Sequence, residues 1–231
     1  MNTNELNHAL YKAQTELFND DYTYYLNFCK GFKVLELFAG YGRLTNYLAQ
    51  NNVDITVVEI EPYFAKFIKI PAEKIHITDV RTFETSEKFE RIFAGYDSFC
   101  LLQDESDIIN FFNKLSTLLV PGGIISLNYY HQDYWGSGNT YEFKFNGQTI
   151  QYIPDCDLSE IELNRGIWID EYKGNGIHSL VKLPTRIYKD SNALLPFIKN
   201  TDLKIVETIY DHNNDNKRIR GFVDFVLQKN N

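Results

Sequence analysis

Three acidic residues stand in or just after three short apolar runs in the first third of the chain. Glu36 lies inside Lys33–Phe38, Glu59 ends Asp54–Glu59, and Asp79 follows Ile75–Thr78. Between the first two runs stands Val34-Leu35-Glu36-Leu37-Phe38-Ala39-Gly40-Tyr41-Gly42-Arg43-Leu44-Thr45, which reads as a strand, a Gly-x-Gly turn and a helix start. Glycines let backbone approach a ligand closely, and a helix N-terminus turns its amides toward it. A pyrophosphate fingerprint needs a third small residue two spacers after Gly42. That place holds Thr45, after Leu44, so the dinucleotide pattern is incomplete. Glu59 comes 17 residues after Gly42, where a carboxylate accepts both hydroxyls of a ribose. Glu36 inside an apolar strand is costly to bury without a role. Carboxylates at three successive strand ends suit an adenosyl ligand without phosphates.

The elements that must hold these acids alternate between short apolar runs and longer amphipathic stretches, the pattern of a parallel sheet with crossover helices. Strands are expected at Lys33–Phe38, Asp54–Glu59, Ile75–Thr78, Arg91–Gly95 and Ile124–Tyr130, then at Leu203–Tyr210 and Gly221–Leu227. Helices are expected at Arg43–Ala49, from Pro62, at Asp107–Leu119 (stopped by Pro121-Gly122-Gly123) and at Asp190–Lys199. The predicted fold is α/β: a Rossmann-like, seven-stranded, mostly parallel sheet with helices on both faces. Residues 139–188 break the rhythm. Tyr141–Phe145, Asn146-Gly147 and Gln148–Ile153 signal a type I′ hairpin, and Ile161–Leu163, Ile167–Tyr172 and His178–Leu183 read as further strands. The expected organisation is an N-terminal helical arm over the active site (1–30), a ligand-binding core (31–138 and 189–231) and an antiparallel β substrate cap inserted after the fifth strand (139–188).

Lysine and arginine number 23 against 31 acidic residues, a net charge of −8, which opposes a polyphosphate partner. The densest basic cluster, Lys217, Arg218 and Arg220, is short and diluted by Asp211 and Asp215, and reads as a solvated turn. Cys29, Cys100 and Cys156 show neither disulfide nor zinc spacing. No metal site is expected. Neither a leader pattern nor a long apolar run is visible, so a cytoplasmic protein is expected, monomer or homodimer, without membrane or nucleic-acid partners.

On the residues quoted above, together with Asp21–Tyr25, Glu59-Ile60-Glu61-Pro62, Asp79-Val80-Arg81, Arg91–Phe99 and Leu119–Leu127, the chain resembles the class I S-adenosylmethionine-dependent methyltransferases, small-molecule branch, which includes sugar and glycine N-methyltransferases. The resemblance covers residues 20–130 closely and is only architectural beyond 139. It implies S-adenosyl-L-methionine as cofactor. Glu36 and the Ala39, Gly40 and Gly42 turn would lie by its methionine portion, with Tyr25 beside them. Glu59 would bind the ribose, Ile60 would flank adenine, and Asp79 with Val80 would read the adenine edge. Gly95 and Tyr96 would border the cleft. Phe38 stands where the family pattern has glycine, so it and Tyr41 enclose the turn with rings.

A sulfonium donor carries its own leaving group, so the protein supplies geometry and desolvation, and a hydroxyl acceptor gains from a general base. His131, after the fifth strand and near Asp133, is the candidate base, with Tyr22 as a second catalytic candidate. Tyr11, Tyr130 and Arg186 are candidates for binding the acceptor. The family's base-amine methylases carry an Asn/Asp-Pro-Pro-aromatic run where this chain has Gly95-Tyr96-Asp97-Ser98-Phe99, a further argument against nucleic acid. The expected activity is methyl transfer to a hydroxyl of a small polar metabolite such as a sugar or nucleotide-linked precursor. Transfer to an amino sugar or small amine is the alternative. A nicotinamide-dependent oxidoreductase and a non-catalytic adenosyl-binding module are the remaining ones, separated by whether S-adenosylhomocysteine or NAD(H) stabilises the fold and whether any acceptor turns over.

Overall fold

Two helices, Thr3–Thr15 (α1) and Tyr22–Cys29 (α2), precede the first strand, Lys33–Leu37 (β1). The computed structural model describes residues 3–135, 138–212 and 221–230; the cluster Lys217, Arg218 and Arg220 lies outside them. Strands and helices then alternate except where one strand follows another directly: Arg43–Gln50 (α3), Asp54–Glu59 (β2), Pro62–Ala65 (α4), Ile75–Ile77 (β3), Phe89–Ala94 (β4), Glu105–Leu118 (α5) and Leu119–Tyr130 (β5). Four strands follow without an α-helix between them, Tyr141–Phe145 (β6), Gln148–Asp157 (β7), Arg165–Gly174 (β8) and Ile177–Arg186 (β9). A short helix, Leu195–Ile198 (α6), and two strands, Leu203–Tyr210 (β10) and Phe222–Lys229 (β11), complete the described chain.

The main sheet has seven strands in the order β10-β11-β5-β4-β1-β2-β3. β1 to β5 pair in parallel, and β11 runs antiparallel to both of its neighbours. Alternation along the central strands sorts their side chains onto two faces. Leu35, Leu37, Ile92 and Ala94 pack with α5 and α6, while Val34, Val57 and Phe93 pack with α2 and α3. Helices therefore cover both faces, as expected for buried parallel strands.

The second sheet has four antiparallel strands in the order β6-β7-β8-β9. Asn146 and Gly147 both take positive φ, 49° and 76°, and close the β6–β7 hairpin as their residue types require. On α1, Leu10 is fully buried against Phe143, Ile150, Tyr152 and Tyr172, so the first helix is fastened to this sheet.

Three segments depart from the sequence reading. Ile161–Leu163 is a 3-10 turn instead of a strand, ended by Asn164 at φ 56°. Asp190–Lys199 is not one helix: a 3-10 turn at Ser191–Leu194 precedes α6, where Pro196 occupies the first turn. β5 starts at Leu119 and runs through Pro121-Gly122-Gly123, because Leu119 pairs with Phe89 before the ladder shifts register. No helix among the described residues is long and apolar enough to cross a membrane.

Candidate active site

A cavity of about 1170 Å³ opens at the carboxyl ends of β1, β2 and β4 and is roofed by the second sheet and α1. Glu59, at the end of β2, is 5% exposed. Its Oε2 accepts the Gly40 amide at 2.6 Å and its Oε1 the Glu61 amide at 2.8 Å. No cationic side chain pairs with it among the described residues, and burial raises its pKa. Glu59 lines the cavity together with Ile60 and Val80. Asp79 lines the same end, and Arg81 fastens its carboxylate through the backbone amide at 2.8 Å and the guanidinium at 2.6 Å. That contact holds the Asp79 pKa below the usual range.

The turn after β1 is built on positive φ at Phe38 (56°), Gly40 (56°) and Gly42 (78°). Gly40 lines the cavity with open space where a side chain would start, so a ligand can approach its backbone. Gly42 does not line it: a Cβ there would stand 2.9 Å from Ile68 Cγ1, so this glycine serves the packing of α3. Phe38 adopts a backbone conformation that favours glycine, and its ring faces Phe111 at 6.3 Å.

Glu36 sits beneath that turn, on the α3 face of β1, and Thr45 Oγ1 donates to it at 2.5 Å. It lines a side pocket of about 40 Å³ with Ala39, Gly40, Gly95 and Tyr96, not the main cavity. Burial pushes its pKa up to about 8. Asp97, in the main cavity, accepts the Tyr130 amide at 3.0 Å and is likewise pushed by burial up to about 7. Both carboxyls hold protons in the folded chain that they release on unfolding in neutral solution. The stability they contribute is complete below the ordinary carboxylate range and is lost as pH rises through about 7 to 8. Melting temperature is therefore expected to fall between about pH 5 and pH 8.5, and Glu36→Gln with Asp97→Asn should flatten the fall in a thermal-melt series.

Several sequence candidates stand elsewhere. His131 is 4% exposed and outside both pockets, because successive residues at the end of β5 point oppositely and it is Tyr130 that faces the cavity. Its Nδ1 accepts the Asp133 amide at 3.2 Å. Tyr22 stacks on Tyr47 at 4.2 Å and lines neither pocket. Tyr25 is fully buried beneath Gly95, its hydroxyl donating to Asp224 at 3.2 Å. Arg186 turns toward Gln103 and Glu105, 3.3 Å from each, and packs over Phe197. Tyr11, Tyr96 and Tyr130 do line the main cavity.

The sequence reading missed Asp170. On β8, Trp168, Asp170 and Tyr172 alternate onto the inner face of the second sheet and line the roof. An acid spaced two residues from aromatics on either side shares their buried face, a signal that was present in the sequence. Asp170 is 6% exposed, and its Oδ1 accepts the Tyr152 hydroxyl at 2.7 Å and the Trp168 indole at 2.8 Å. Burial raises its pKa.

No protein-family model matches the chain, and no curated protein matches it in sequence. Solved structures do match its architecture. An S-adenosylmethionine-dependent methyltransferase from Clostridium acetobutylicum is similar at a TM-score of 0.73, with 14% identity over 99% of each chain. A sugar N-methyltransferase from Streptoalloteichus sp. ATCC 53650 gives 0.76, with 14% identity over 96% of this chain and 92% of that one. The chain has the fold of S-adenosylmethionine-dependent methyltransferases. An amino pentose methyltransferase from Micromonospora echinaspora, solved with S-adenosylmethionine bound, shares this methyltransferase fold at 0.76, with 12% identity over 97% and 96% of the two chains.

Proposed function

We propose that the protein is an S-adenosylmethionine-dependent methyltransferase acting on a small amine. The fit to the cofactor rests on Glu59, a buried carboxylate with only backbone donors, beside the open Gly40 backbone. Glu59 would take the ribose hydroxyls, Ile60 and Val80 would flank the adenine, and Asp79, already oriented by Arg81, would accept from its amine edge. The Gly40 turn and the side pocket at Glu36 and Tyr96 would adjoin the methionine part. The cofactor supplies a methyl group on a positively charged sulfur. The chain supplies position, exclusion of water and a field that favours positive charge.

The observation that carries the acceptor class is the charge of the cavity wall. Glu59, Glu61, Asp79, Asp104, Asp107 and Asp170 line it, against His8 and an Arg81 already paired with Asp79 at 2.6 Å and Asp107 at 3.0 Å. Such a wall attracts cations and repels phosphates, which disfavours a nucleotide-linked sugar. The expectation of a hydroxyl acceptor rested on His131 as base, and its ring lies outside the cavity. One neighbour is described as a sugar N-methyltransferase and another as an amino pentose methyltransferase, and an amino sugar is the acceptor we favour.

The test is release of S-adenosylhomocysteine from S-adenosylmethionine with a panel of amino sugars and small amines and their hydroxyl counterparts. Turnover on amines alone supports the reading; turnover on alcohols alone, or none on either, overturns it. Loss of a general base lowers turnover about 10²–10⁴-fold, whereas His131→Ala should leave it within about threefold.

A further inference from the structure

We propose that Asp170, at the centre of the roof over the cavity, receives the acceptor's ammonium group and takes its proton; the inference rests on the methyl-transfer reading above. Strand alternation gives the inner face of β8 one charged side chain between two aromatic ones, Trp168 and Tyr172. Tyr152 and Trp168 both donate to Oδ1 of that carboxylate. Its Oδ2 has no hydrogen-bond partner among the described residues, and no lysine, arginine or histidine pairs with it there.

A carboxylate buried to this degree is normally paired, because two neutral donors do not replace its hydration. Here the missing partner has room to come from the ligand, since Asp170 shares the cavity wall with Tyr11 and Tyr96, the latter also bordering the side pocket at Glu36. Tyr152, Trp168 and Tyr172 line the same wall, and aromatic rings beside a carboxylate add attraction for a cation. An alcohol of the same shape gains neither contribution. In the transfer of the proton, one N–H bond of the bound ammonium breaks and an O–H bond forms on Oδ2. Ammonium and carboxylate become neutral amine and carboxylic acid, and the nitrogen lone pair is freed for attack. The donor bonds on Oδ1 fix which oxygen is available.

The chain carries only two tryptophans, and both stand here: Trp168 bonds Asp170, and Trp135 lies 5.6 Å from Trp168. Intrinsic fluorescence therefore reads binding without turnover. Benzylammonium chloride and benzyl alcohol, titrated at matched ionic strength, are the probes. The wild-type protein is expected to bind benzylammonium at least about tenfold more tightly than benzyl alcohol. Asp170→Asn keeps an oxygen for both donors, and should abolish that preference while leaving benzyl alcohol and S-adenosylhomocysteine binding unchanged. Tyr152→Phe withdraws one donor and leaves the charge, so it should tighten benzylammonium about threefold and not benzyl alcohol. No preference in the wild type, a preference retained in Asp170→Asn, or no change in Tyr152→Phe overturns the assignment. Failure of the wild type to bind S-adenosylhomocysteine in calorimetry overturns the methyl-transfer reading instead, and leaves the ammonium preference to be judged on its own.

Discussion

Replacing Glu59 with alanine is expected to weaken S-adenosylhomocysteine binding by at least about 100-fold in isothermal titration calorimetry, since hydrogen bonds to a charged group are each worth about 1.5–3 kcal/mol and two ribose hydroxyls would lose theirs. The loss goes beyond the ribose. Glu59 also holds the Gly40 amide at 2.6 Å and the Glu61 amide at 2.8 Å, so alanine releases the turn after β1 and the start of α4 together. Glu59→Gln separates these contributions. Its amide can accept from one backbone N–H but turns an NH2 toward the other, so it should bind more weakly than wild type and more tightly than alanine. A Glu59→Ala protein that melts cooperatively and binds S-adenosylhomocysteine as wild type does would remove the ribose assignment.

The second large effect is structural. Asp21→Ala is expected to lower the melting temperature by about 6–20 °C, because breaking a buried ion pair costs about 3–5 kcal/mol and each kcal/mol is worth about 2–4 °C in a chain of this size. Asp21 holds Arg43 through two bonds of 2.7 and 2.6 Å, and the two side chains are 1% and 10% exposed. The pair ties the start of α2 to the start of α3, directly beside the glycine turn. Alanine would strand a guanidinium among Phe18, Tyr22 and Tyr96, whose rings lie within 5.7 Å. Aromatic faces answer only part of that charge. A double variant, Asp21→Leu with Arg43→Met, should recover much of the loss, because it removes both charges at once. A single variant that melts within about 2 °C of wild type would show that the pair carries little.

How much of this was legible follows from what each signal depends on. β1, β2 and β4 are short apolar runs that a parallel sheet buries on both faces, so composition alone marks them. The position of Glu59 was legible for the same reason, since a strand's last residue is placed by the strand, whereas Asp79 stands two residues beyond the end of β3. Ile161–Leu163 has the same apolar-polar-apolar pattern as a strand and forms a turn, because three residues carry no periodicity that distinguishes the two. At the end of β5, one residue decides whether Tyr130 or His131 faces the cavity, and sequence spacing does not supply that phase. Arg186 was a candidate for binding the acceptor, but Glu105 on α5 answers it across 81 residues of sequence. The alternation that puts Asp170 on one face with Trp168 and Tyr172 stands in the sequence, but which face of β8 is dry is decided only when the roof sheet is seated on the core.

The strand completed last in sequence is not at the edge of the main sheet. β11 lies between β5 and β10, pairing Val223 with Tyr129 and Leu203 with Lys229. A nascent chain would thus keep the β5 edge unpaired until residues 222–229 have emerged from the ribosome, with β6 to β9 free to form earlier from local hairpins. Until β11 pairs, that edge is open to chaperones or to wrong partners, and β10 has no place in the main sheet.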